Sequence, residues 1–311
     1  MNRKERFAAA VEGRETDRPP VTAWVHFHSE HLSGEDTAQL HLKFLREYEW
    51  DVAKVMNDYR YPAPAGLEQL DSADAMRQFR RLSLDAPSFT RQLATIRTMR
   101  RELGPDWPIL DTLFAPYLQV LLSVGPANAG AIPQHHDAAL EMLDVVTETL
   151  CNYVAASREA GADGFFMSVN GAIPDTLPLG VSDAVFREFQ RPFDLRVLEA
   201  AQGATRVLHA HGAGLHIDRV LDYPCEVLSL ADRQTGNPSL AQLRQHTDKC
   251  LMGGIDEARI QNRLLPELRT EVDDAIAQAG RQRLILSPGC TVPSFTSQRT
   301  LHCLSQHARR L

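Results

Sequence analysis

The segment Thr205-Arg-Val-Leu-His-Ala-His-Gly212 is a short apolar run that closes on two histidines and a glycine. Along a strand, side chains alternate between faces, so His209 and His211 point the same way. Two imidazoles on one face form half of a metal site, and one or two further ligands must come from elsewhere in the chain. Cys290 is the best candidate for a further ligand, because Leu284-Ile-Leu-Ser-Pro-Gly-Cys290 is again an apolar run ending in a donor. The plain alternative is a pair of hydrogen-bonded histidines that only finish a strand. His26 and His28 repeat the same spacing and are read as extra ligands or substrate contacts, with two rim histidines as the ordinary reading. Asp58, Tyr117 and Asp232 are the candidate catalytic groups; Asn170 and Asp256 are candidate substrate contacts. Each has a structural alternative: a turn cap for Asp58, a buried tyrosine for Tyr117, a helix cap for Asp256. Asp232 with Arg233 can form a simple ion pair or orient a ligand imidazole from behind.

Placing these residues requires eight apolar runs alternating with helical stretches. The runs cover 21–28, 51–56, 107–114, 164–169, 205–212, 225–231, 249–255 and 284–290. Each is hydrophobic nearly throughout, as strands buried on both faces are. Helical spacing is found at 3–12, 35–47, 88–103, in a long stretch up to 161, at 183–202 and from about 297. Eight strands alternating with helices predict an α/β fold, a single (β/α)8 TIM barrel spanning 1–311. In such a barrel the chemistry sits at the C-terminal ends of the strands, where all of the residues above fall. No glycine-rich phosphate loop follows any of the strands, which argues against dinucleotide binding.

Composition narrows the classes. The 311 residues are 43% hydrophobic and 23% charged, with a formal net charge of -7, and no basic block stands out. That argues against nucleic-acid and anionic-membrane partners. No apolar run is long enough to span a bilayer, and the charged start Met1-Asn-Arg-Lys-Glu-Arg6 has no signal-peptide core behind it. The five cysteines have no Cys-x-x-Cys spacing and are read as reduced thiols of a cytoplasmic protein.

Four pieces of the chain resemble the uroporphyrinogen decarboxylase superfamily, which includes the zinc-dependent corrinoid methyltransferases acting on coenzyme M. Arg6-Phe-Ala-Ala-Ala-Val-Glu-Gly-Arg-Glu-Thr-Asp-Arg-Pro-Pro20 is similar to that family's opening RxxxALxGexxDRxPV pattern. Ala160-Gly-Ala-Asp-Gly164, Met252-Gly-Gly-Ile-Asp256 and Ser287-Pro-Gly-Cys-Thr-Val-Pro293 follow in the family's order.

The resemblance implies two chemistries. The methyltransferase branch holds zinc with a His-x-Cys pair and a later cysteine in a Pro-Gly-Cys turn. His209 and Cys290 match, while His211 stands where that branch has cysteine, which leaves zinc, or another metal such as iron or copper, as the implied ion. Such an enzyme activates a thiol or other small acceptor and takes its methyl group from a separate corrinoid protein. The decarboxylase branch grips its tetrapyrrole carboxylates with arginines just after the first strand. Trp24-Val-His-Phe-His-Ser-Glu-His31 has none, so Arg60 or Arg233 would have to replace them. The catalytic aspartate of that branch matches Asp58, which keeps a decarboxylase of a small acid as the alternative. A metal-binding barrel without catalysis is the third reading. The partners implied are a small-molecule substrate, a corrinoid protein and a second copy of the chain in a homodimer.

Overall fold

A computed structural model of the chain describes every residue from 1 to 311 except 60 and 178. Seven strands form one parallel sheet. They are β1 (Ala53–Val55), β2 (Ile109–Phe114), β3 (Gly164–Val169), β4 (Thr205–Ala210), β5 (Val227–Leu230), β6 (Cys250–Ile255) and β7 (Leu284–Pro288). Each pairs with its neighbour in sequence, so the order is simply β1 to β7. Helices fill most of the connections, among them Pro87–Leu103 between β1 and β2, His136–Ala160 before β3, and Leu265–Ala279 between β6 and β7. This is the βα repeat expected from the alternation of apolar runs, and it sends every strand end the same way.

The strands bury both faces. One face carries Leu110, Phe166, Val207, Met252 and Ile285 into an inner cluster that also takes Trp24 and Phe7. The other face, including Ile109, Phe165, Leu208 and Leu251, packs under the helices.

The expected first strand is the correction. Residues 21–28 contribute a single parallel bridge, Val21 to Leu286 of β7, and no strand. The reason lies in the bonding of the segment. Pro19 and Pro20 bring no N–H, and the Val21 N–H donates to the Asp51 carboxylate at 2.9 Å instead of to a neighbouring strand. Thr22 gives its hydroxyl to the Val52 carbonyl at 2.8 Å, and His28 turns the chain away at φ 53°. Two backbone bonds, Leu286 N–H to Pro20 O at 2.8 Å and Thr22 N–H to Leu286 O at 3.0 Å, still tie the segment to β7. On the other side the Asp51 N–H reaches Val21 O at 2.8 Å, just ahead of β1. The segment thus lies between the two edge strands and is held in part by side chains. Among the described residues no helix is long and apolar enough to cross a membrane.

The expected helix 183–202 is also divided. A first turn at Asp183–Val185 widens into a π turn at Phe186–Gln190, and a regular helix resumes at Arg191–Ala200 with Pro192 in its first turn. Proline lacks the N–H that would continue the ladder, so the break falls just before it.

Candidate active site

β4 delivers His209 with its ring inside the sheet and His211 one residue past the strand end, the two ring centroids 5.7 Å apart. His209 stacks on Phe166 of β3 at 5.0 Å and shares a 3.2 Å hydrogen bond between its Nδ1 and Ser229 Oγ of β5. The register explains this contact, since Ser229 pairs directly with His209 and faces the same way. The other ring nitrogen, Nε2, is buried and has no hydrogen-bond partner. Burial pushes the His209 pKa well below its ordinary value, and the nearby charges of His211 and Lys54 add to the effect, so the ring is neutral. His211 is lowered too, by burial first and then by the charge of His26.

Cys290 stands in the turn after β7, and burial pushes its thiol up from the usual value. His209, His211 and Cys290 line one cavity of about 310 Å³, together with Gln234 and Glu257. Among the described residues, no three His, Cys, Asp or Glu side chains stand close enough together to hold a metal ion as they are placed. The donor set nevertheless fits a transition metal: two neutral imidazoles, one of them with an unpartnered buried nitrogen, and a thiol. Ser229 behind His209 supplies the outer contact that fixes the orientation of a ligating ring.

Glu257 was not expected. It is 4% exposed and lies just beyond β6. Its Oε1 accepts a 2.6 Å hydrogen bond from Gln234 Nε2, while Oε2 is buried without a partner. Burial raises its pKa. The sequence offered Asp256 next to it, but Asp256 turns the other way. Asp256 accepts bonds from the N–H groups of Ala258 and Arg259 and pairs with the Arg259 guanidinium at 2.5 Å. Lys54 falls inside the apolar run 51–56 and carries no motif of its own. It is buried on β1 within hydrogen-bonding distance of Met56 Sδ, 3.0 Å, and lies over the rings of Trp24 and Phe166. Burial drives its pKa down to about 7.

A second cavity, also of about 310 Å³, brings His26, His28, Asn57 and Asp58 together. Asp58 organises its rim. Oδ1 bonds to His26 Nδ1 at 2.8 Å, and Oδ2 accepts from the N–H groups of Phe27 and Ser29 and from the Ser29 hydroxyl. Burial alone would raise the Asp58 carboxyl, but these bonds and the His26 charge outweigh it and hold the pKa below the usual value.

The remaining candidates are placed apart from both cavities, and all but Asp232, whose buried Oδ2 has only the Arg233 guanidinium at 3.4 Å, have their polar atoms committed elsewhere. Tyr117 donates to the Ala129 carbonyl at 3.3 Å, and Asn170 to the Leu179 carbonyl at 2.9 Å. Asp232 accepts the Gly254 N–H at 2.7 Å and does not touch either ligand-candidate histidine among its hydrogen bonds. Arg233 is spent on the Gly254 carbonyl and Asp274, at 2.9 and 2.6 Å. Arg60, the other arginine named as a carboxylate partner, lies outside the described residues.

Comparison with known proteins gives the following likenesses. Residues 2–311 match the family model of uroporphyrinogen decarboxylase (URO-D). Among solved structures, a methyltransferase from Methanosarcina mazei superposes with a TM-score of 0.82 at 18% identity, covering 100% of this chain and 99% of that one. A B12-independent methionine synthase from Shewanella sp. W3-18-1, in complex with selenomethionine, gives 0.63 at 14% identity, covering 94% and 93%. A methionine synthase of the same kind from Listeria monocytogenes gives 0.63 at 10%, covering 95% and 99%. At these identities the likeness is one of fold. No curated protein matches the chain by sequence.

Proposed function

The chain belongs to the uroporphyrinogen decarboxylase family, and on that premise we propose a metal-dependent enzyme of the methyltransferase type. It would activate a thiol or another small acceptor in the cavity of His209, His211 and Cys290. The observation that carries this reading is the buried His209 Nε2, which has no partner while Nδ1 is held by Ser229. An unsatisfied buried nitrogen is costly, and a metal ion is the partner that a neutral imidazole between two other donors would take. A zinc ion, or another transition metal, would supply a Lewis acid that lowers the pKa of an acceptor thiol.

The residues of the chain have separable tasks. Ser229 fixes the His209 ring, and Phe166 stacks on it, so its free nitrogen cannot swing away. His211 and Cys290 provide the other donors at the ends of β4 and β7. Three protein donors would leave a position open for the acceptor, as a catalytic site needs. The methyl group would arrive on a separate corrinoid protein. The fold likeness to methyltransferase and methionine synthase structures supports this class of reaction. The proposal places the enzyme in a reducing cytoplasm, where its five cysteines would stay as thiols.

The decarboxylase alternative would rest on Asp58. Both Asp58 oxygens are already taken by the 26–29 segment, a positioning duty more than a reactive one. With histidines where that chemistry places arginines, incubation with uroporphyrinogen should yield no coproporphyrinogen. Coproporphyrinogen formed at a useful rate would establish the alternative.

Metal analysis of tag-free protein tests the leading reading. We expect about one transition metal per chain, lost in Cys290→Ser and in His209→Ala. Activity should vanish in Cys290→Ser while its melting temperature changes little, because the core on both faces of the sheet is untouched. Metal-free protein whose His209→Ala variant keeps full activity would end the proposal.

A further inference from the structure

Within the same cavity one carboxylate oxygen has no partner and no assigned task. Glu257 is 4% exposed, Oε1 is fixed by Gln234 at 2.6 Å, and Oε2 is left bare. The position of Oε2 is protected by Gly289, the residue before Cys290. A Cβ on Gly289 would stand only 2.9 Å from it. The bare oxygen therefore sits beside the turn that presents the thiol donor. Burial disfavours a carboxylate with a free oxygen, and a cationic donor is the partner that best restores its charged form.

The cavity itself offers no such cation. Among the described residues that line it there is no lysine or arginine. Lys54 lies in the inner cluster against Met56, Trp24 and Phe166, outside the lining, and Arg233 is directed at the Gly254 carbonyl and Asp274. An acceptor bearing a carboxylate or sulfonate would meet Glu257 with no cation in the lining, since Lys54, whose charge is felt at His209 and Cys290, stands outside it. An acceptor bearing an ammonium group would complete the site.

We propose that the acceptor is an aminothiol, with its protonated amine seated on Glu257 Oε2 and its sulfur directed towards the His209, His211 and Cys290 donors. The inference rests on the metal-site reading above and adds the charge of the substrate to it. Glu257 is then a specificity-determining residue that binds the acceptor, and the volume of about 310 Å³ suits a molecule of that size.

Cobalt(II)-loaded protein provides the test, since thiolate binding to cobalt gives a charge-transfer absorption that needs no turnover. Three small thiols serve as probes: cysteamine (cationic), mercaptoethanol (neutral) and mercaptoacetate (anionic). Cysteamine should half-saturate at a concentration about tenfold or more below mercaptoethanol, as a charge-assisted hydrogen bond allows, with mercaptoacetate weakest. Glu257→Gln should erase the preference for cysteamine and leave both cobalt uptake and mercaptoethanol binding unchanged. Should that variant not fold, Glu257→Asp should weaken cysteamine alone, and equal weakening of both probes would overturn the proposal. Mercaptoacetate binding as well as cysteamine, or a preference that survives Glu257→Gln, would do the same. Loss of cobalt in Glu257→Gln would assign the carboxylate to the metal and overturn the amine seat. If the wild-type protein takes up no cobalt, the metal reading fails on its own. Calorimetry of cysteamine on the metal-free protein then decides the amine seat: heat lost in Glu257→Gln upholds it, and no heat in wild type overturns it.

Discussion

His41 and His209 are both imidazoles shut away from water, and both remain neutral because burial disfavours the charged ring. They differ in what completes them. His41 Nε2 accepts the Met56 N–H at 2.9 Å, so its site is finished, whereas His209 Nε2 has nothing. The same residue type is thus fully satisfied in one place and left with a free nitrogen in the other, which is why the proposed function makes a ligand only of the second. His41 also sets a pH dependence. Its pKa falls to about 4, from an ordinary 6.5, through burial. Between those values the unfolded chain takes up a proton that the folded chain refuses, so stability falls as pH drops through this window. From pH 7 to pH 5 the loss through His41 should be about 2 kcal/mol. Denaturant unfolding at the two pH values measures it, and a His41→Gln variant should lose that part of the dependence. Sequence spacing alone was enough to pair His209 with His211, because alternation along a strand is a local rule. Glu257 was hidden for the converse reason. Gly254, at φ 104°, breaks the alternation at the end of β6, so Asp256 turns to Arg259 and its neighbour enters the cavity.

At the level of the elements, seven of the eight apolar runs became strands in the order of the chain, since a parallel strand buried on both faces is recorded directly in its composition. The run at 21–28 did not, because the Val21 N–H goes to the Asp51 carboxylate and the Thr22 hydroxyl to the Val52 carbonyl, and no apolar count reveals a side chain that competes for an N–H. Close strand-end packing was similarly invisible. A Cβ on Gly289 would come within 2.4 Å of Ala231 Cα, where the turn after β7 passes the end of β5. Backbone atoms cannot yield as a flexible side chain can. Gly289→Ala should therefore destabilise the protein by about 1–3 kcal/mol and displace Cys290 with it. Chemical denaturation and metal stoichiometry on the one variant report both effects, and a variant of unchanged stability would show that the turn has slack.

Taken whole, the molecule depends on a latch near its N-terminus. Asp51, 1% exposed, accepts from Arg6 at 2.9 Å, from Arg18 at 2.5 and 2.9 Å, and from the Val21 N–H. It thereby joins the first helix, Arg3–Glu12, and the 19–22 segment to the start of β1. Removing Asp51 leaves Arg6 paired with Asp17 at 2.7 Å, but it takes the carboxylate from Arg18 and from the buried Val21 N–H. Asp51→Ala should cost about 1–3 kcal/mol, the penalty for leaving a buried donor unsatisfied. Thermal unfolding checks this, and a small shift would mean that water replaces the carboxylate. The latch matters because of what it holds in place. Val292 donates to the Trp24 carbonyl at 3.0 Å, and Thr291 does so at 3.4 Å across 267 residues of chain. On the ribosome, Trp24 is therefore made long before the residues it must meet. At about 5–20 residues per second, it waits on the order of ten seconds or more for them. During that wait Trp24 and Phe7, both destined for the inner cluster, have no β7 to cover them, and the nascent chain presents a sticky surface that a chaperone would recognise.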